Sequence, residues 1–192
     1  MSRKNTQTLN SIRRLCRMQE LDEKILYTKA KLILSVYRDI CWSTIGRADQ
    51  VSEELVCYCG ARLDDALIYL ETFAPDEARE YFEEQVKTLF DTRWMIELVE
   101  DSMVRVREYP CNGELYFEIL SKCYLTCFKY KEAELLEVLN MERSMFYDRK
   151  KEALLVFGLS LWGSAIPKLK RFLKSTVDEN MEKNDDVETE RT

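Results

Sequence analysis

The stretch "LLEVLNMERSMFYDRKKEALLVFG", Leu135 to Gly158, decides how this chain is read. Leu135, Leu136 and Leu139 recur at helical spacing and run into Asn140, beyond which a second helical pattern opens with charged and polar residues. A helix-turn-helix needs two short helices joined by a tight turn. Asn140 suits that turn because asparagine tolerates positive φ better than most residues. Met141 follows as an apolar anchor, and Phe146, Ala153 and Phe157 then point inward. On a 3.6-residue period, Arg143, Ser144, Tyr147, Asp148 and Lys151 share the outward side, with Lys150 further along. Arginine can bond guanine or phosphate, serine and tyrosine can donate to phosphate, and aspartate can accept from cytosine. These six residues are the candidate DNA-binding set. A solvated face on an all-α protein gives the same pattern, and Glu132, Glu134 and Glu137 on the first helix would oppose phosphate if they faced it.

The composition agrees with helices. Hydrophobic residues make up 46% and charged residues 33% of 192, the proportions of a folded chain with a real core. Only 5 Gly and 3 Pro are present, too few for the turns of a sheet-rich fold, so the expected class is all-α. There is no histidine, which removes the usual general base and the commonest metal ligand. No glycine-rich phosphate loop exists, and paired acids such as Asp64–Asp65 point to different sides of a helix. Carboxylates at one-turn spacing, such as Glu97 with Asp101, read as a solvated acidic face. No enzyme, no metal and no cofactor is therefore expected. The 7 cysteines include Cys57–Cys59 and Cys123–Cys127, neither of which has the paired spacing of a zinc site. They read as reduced thiols used as small hydrophobes, which places the chain in the cytoplasm. The longest apolar run, Leu154 to Ile166, falls short of the ~20 residues a spanning helix needs, so no membrane is expected.

Along the chain, residues 1–20 carry Arg3, Lys4, Arg13, Arg14 and Arg17 before the first acid and read as a basic N-terminal arm. Residues 21–110 read as a helical region. Leu26, Ala30, Ile33, Tyr37 and Ile40 form one helix, and Leu55, Cys59, Leu63, Ala66 and Leu70 another. Pro75 opens a third of about 50 Å, with Ile96, Val99, Met103 and Val106 in its buried stripe. Residues 111–176 hold the helix-turn-helix. There Leu115 to Phe128 forms a further helix, and Pro167 opens a short basic segment, "PKLKRFLK". Residues 177–192 are polar and acidic and read as a disordered tail. The net charge of −6 hides an uneven spread. Between Arg143 and Lys174, eight basic residues face only Asp148 and Glu152, whereas the tail carries seven acids against Lys183 and Arg191.

The segment from Tyr130 to Leu154 resembles the C-terminal part of phage-type transcriptional regulators of the ArpU and RinA group. These carry a helix-turn-helix similar to region 4 of sigma-70 factors. Tyr130, Arg143, Ser144, Phe146, Tyr147, Lys150 and Ala153 match that pattern, and the likeness covers Leu115 to Trp162. Glu142 stands where Ser or Thr usually caps the recognition helix, and Leu136 where a small residue is usual. The resemblance implies sequence-specific binding of double-stranded DNA to regulate transcription of a phage or prophage operon, with RNA polymerase as a further partner. A homodimer is expected as well. "LLVFGLSLWG" is apolar around most of its circumference, so either surrounding helices or another subunit must enclose it, and a dimer is favoured because paired half-sites give such motifs specificity. The alternative is an all-α protein-interaction module acting through the acidic helices from about Glu53 to Asp101.

Overall fold

The computed structural model describes residues 3–44, 67–72, 93–126, 128–172 and 174, and all regular structure among them is helical. The chain is all-α, as its scarcity of turn residues implies. The region expected as a basic arm is itself a helix, α1 (Arg3–Met18). Beside its arginines, Leu9, Ile12 and Cys16 recur at three and four along the same segment. Ile12 and Cys16 are buried, with Leu9 and Leu15 packed beside them. The segment is amphipathic, so burying that stripe outweighs leaving it in solvent. Glu20 closes α1 with φ 56°, and the Leu21 N–H returns to the Cys16 carbonyl at 2.9 Å.

Helix α2 (Glu23–Thr44) starts where its apolar pattern starts. Asp22 caps it, its Oδ1 accepting from the N–H groups of Lys24 at 2.8 Å and Ile25 at 2.9 Å. Leu26, Ala30, Ile33 and Tyr37 are all buried, as their spacing predicts. Of the next expected helix only residues 67–72 are described, and they are helical. Trp162 and Lys29 hold this piece, donating to the carbonyls of Leu70 at 2.9 Å and Glu71 at 2.8 Å. Helix α3 (Arg93–Arg107) is the C-terminal part of the long helix expected from Pro75, whose earlier part lies outside the described residues. Its Val99, Met103 and Val106 are buried.

Helix α4 (Gly113–Leu120) follows after a short turn in which Asn112 has φ 64°. A Cβ on Gly113 would lie 2.3 Å from the Arg107 carbonyl oxygen, so the end of α3 and the start of α4 meet backbone to backbone. The helix expected to reach Phe128 instead widens into a π turn at Ser121–Leu125 and stops at Thr126, which is extended. Helix α5 (Glu132–Val138) and helix α6 (Arg143–Ser160) complete the set.

Pro167 does not open a new segment. The helix continues from α6 through a π turn at Leu161–Ala165, so Arg143–Phe172 is one helical run of 30 residues. A proline lacks an N–H and its ring clashes with the carbonyl four residues back, here that of Gly163. The wider turn just before it relieves both problems. This run is long and apolar enough to cross a membrane, yet 67% of its apolar window is buried inside the fold. Helices α1, α2, α3 and α4 all pack on α6, which is the axis of the core. A Cβ on Gly158 would lie 2.6 Å from Leu26 Cγ, so this glycine lets α2 cross closely. Leu154, Leu155, Phe157 and Leu161 are fully buried by these neighbours, and Trp162 nearly so. The apolar girth that suggested a second subunit is enclosed within the one chain. The core therefore joins the regions expected as 21–110 and 111–176, since Ile33, Val99, Tyr116 and Phe157 all belong to it.

Candidate nucleic-acid interface

A second, smaller apolar cluster sits at the other end of α6. Ile119, Leu135 and Phe146 are buried there, with Leu115, Tyr130, Leu136, Leu139 and Met141 packed around them. It joins α4, α5 and the first turns of α6. Leu136, larger than the residue usual at that place, contributes to this packing. The Glu134 carboxylate accepts from the Lys131 N–H at 2.8 Å and fixes the entry to α5. At its exit Asn140 has φ 48°, and the Met141 N–H returns to the Leu136 carbonyl at 3.0 Å. This left-handed closure is the geometry for which asparagine is suited. Glu142 then stands at the N-cap of α6 without a side-chain cap bond.

The six candidate residues divide. Arg143, Ser144 and Tyr147 are exposed at the start of α6, and Asp148 is half-buried. Lys150 and Lys151 do not join them. Lys150 Nζ lies 5.0 Å from the Tyr124 ring centroid and 5.7 Å from that of Phe146, turned toward the π turn after α4. Lys151 Nζ lies 3.1 Å from a Glu23 carboxylate oxygen, so it docks on α2. Glu23 is also held by Arg13 Nε at 2.8 Å. The Arg13 hydrogen bond leads, and together with Lys151 it outweighs the cost of burial and holds the Glu23 carboxyl below its ordinary range. Helical periodicity places Lys151 on the same side as Arg143, but by that point α2 runs alongside and supplies Glu23 as a partner.

Pairing also thins the positive lobe between Arg143 and Lys174. Arg149 is turned inward, its Nη1 donating to Glu152 at 2.5 Å. Glu152 is 2% exposed and accepts from the Tyr116 hydroxyl at 2.7 Å as well. Lys170 bonds Glu71. Arg143 Nε lies 2.7 Å from Glu132 Oε1. An acid of the first helix, expected to oppose phosphate only if it faced that way, does face the exposed start of α6. Glu132 Oε2 also accepts from the Tyr147 hydroxyl at 2.8 Å. The sequence held no signal for this triad, because it forms across a turn rather than along one helix. Lys129 and Lys131 are exposed at the start of α5 and were not among the candidates. Their place just before the first helix of the pair was the signal for them.

The geometry offers a compact polar face that can bond base edges or a partner's polar groups. No family model, no curated protein and no solved structure matches this chain, so the likeness to phage-type regulators rests on the residues of the motif.

Proposed function

We propose that the chain binds double-stranded DNA through α5, its turn and the start of α6, and that it acts in the cytoplasm as a regulator of transcription. One observation carries this reading. The turn at Asn140 and its own apolar cluster hold α5 against the base of α6, leaving Arg143, Ser144 and Tyr147 exposed on the first turns. A recognition helix meets base edges with its N-terminal residues while the preceding helix crosses the backbone. Lys129 and Lys131 then supply phosphate contacts next to that helix. Selection from a random duplex library tests the reading, with enrichment of a defined sequence expected. Lys129 and Lys131 are the exposed cations placed for phosphate, so log K should fall against log salt with a slope of about −2. No enrichment, together with salt-independent retention, would end it.

The second reading is a protein-interaction module. The acidic helices from about Glu53 to Asp101 expected to carry it lie largely outside the described residues, and what supports it here is the apolar side chains exposed on this same lobe, Phe128, Val138 and Met145. Binding through them would be insensitive to salt and indifferent to duplex DNA.

A further inference from the structure

We infer that Glu132 is a positioning residue that aims Arg143 at the guanine of a G·C pair, an inference resting on the DNA-binding reading above. A guanidinium has five N–H donors. Glu132 Oε1 lies 2.7 Å from Nε as an ion pair, and among the described residues neither terminal nitrogen of Arg143 has a hydrogen-bond partner. Those two nitrogens are the pair that bonds guanine O6 and N7 together. The second oxygen of Glu132 is occupied by the Tyr147 hydroxyl at 2.8 Å. Tyr147 in turn places its ring beneath the guanidinium, with Arg143 Cζ 6.0 Å from the ring centroid. Carboxylate and ring together restrict a long side chain that is otherwise 71% exposed. Less rotamer freedom is then lost when it binds.

Charge decides what Arg143 meets. The Glu132 carboxylate beside it cancels its charge at a distance and repels a phosphate. Guanine O6 and N7 are neutral acceptors and meet no such repulsion. Arg143 is therefore the base-reading side chain of this face, and the phosphate contacts fall to Lys129 and Lys131. Tyr147 spends its one donor on Glu132, so it supports Arg143 rather than donating to DNA.

The test is duplex-library selection on the full chain and on Glu132→Ala and Glu132→Gln, with side-chain Nε–H spectra of Arg143 for all three. The wild-type chain should prefer guanine at one position of its site by about 10-fold or more. Glu132→Ala should reduce that preference to about 2-fold while overall duplex affinity holds or rises, since a repelling charge is gone. It should also merge the Arg143 Nε–H signal with those of free arginines. Glu132→Gln keeps an acceptor and should retain most of the preference. A purely structural role for Glu132 would lower affinity for every sequence alike, and that result overturns the inference. An unchanged guanine preference in Glu132→Ala also overturns it and leaves DNA binding standing. A wild-type chain that selects no sequence overturns both.

Discussion

The two halves of α6 belong to one helix and obey opposite rules. From Ala153 onward, side chains on every side are buried, because α1, α2, α3 and α4 surround the helix. Before that point only Phe146 and Glu152 are enclosed, and Arg143, Ser144, Met145 and Tyr147 are exposed. The buried half sets the stability of the chain. The exposed half sets what it meets, and its geometry depends on the small cluster of Ile119, Leu135 and Phe146. A helix anchored along one half can present the other half rigidly.

Mutation should separate the halves. Phe157 is fully buried at the centre of the large core. Phe157→Ala should cost about 3–5 kcal/mol and lower the melting temperature of the whole chain. Phe146 is also buried, but in a cluster that is separate from the main core and is expected to open on its own. Phe146→Ala should therefore cost less than about 3 kcal/mol globally. Hydrogen exchange should show faster amides in α5 and unchanged protection in the second half of α6. Equal loss of protection in both regions would mean that the two clusters form one cooperative unit.

A third change lies where the halves meet. Glu152 is enclosed with Tyr116 and Arg149, on the turn of α6 between its charged and apolar parts. Tyr116→Phe removes a hydrogen bond to a buried carboxylate and should cost about 2 kcal/mol. Burial first, and the Glu152 carboxylate with it, push the Tyr116 hydroxyl above its ordinary value of 10.0. An unfolded chain then ionises this tyrosine before the folded one does. Its contribution is complete below pH 10.0 and is lost as pH rises toward the folded value. The alkaline limb of the unfolding curve should be steeper in the wild type than in Tyr116→Phe.

The same contrast separates what the sequence revealed from what it did not. The all-α class and the buried stripes of α2 and α3 were legible because each depends on spacing within one helix. So did the turn, since the φ of Asn140 is a local property of asparagine. The partner of Lys151 was not legible, because periodicity gives a direction around α6 while the neighbour in that direction, Glu23 of α2, is set by tertiary packing. The arm misled for another reason: its arginines outweighed Leu9, Ile12 and Cys16 in the reading, although the apolar spacing was present. Glu132 was visible as a charge and invisible as a partner.

The smallest expected effect concerns the contact that takes Lys151 away from the exposed face. Glu23 bonds Arg13 of α1 and Lys151 of α6, so one carboxylate of α2 links three helices. Its partners remain open to solvent, and such pairs contribute at most about 1 kcal/mol each. Glu23→Gln should therefore change the melting temperature little at neutral pH. The difference should appear in acid. The folded-state value of Glu23 is lowered from 4.5, so its contribution is present above the unfolded value. That contribution disappears as pH falls from 4.5 through the lowered folded value. Denaturant midpoints measured across that range should converge for the wild type and Glu23→Gln at the acid end. Lys151 would also be released in the variant, adding one cation near the exposed half of α6. If that half meets phosphate, the salt slope should steepen by about one. A steeper slope with an unchanged base preference would show that α2 normally withholds Lys151 from a contact its position on α6 would allow.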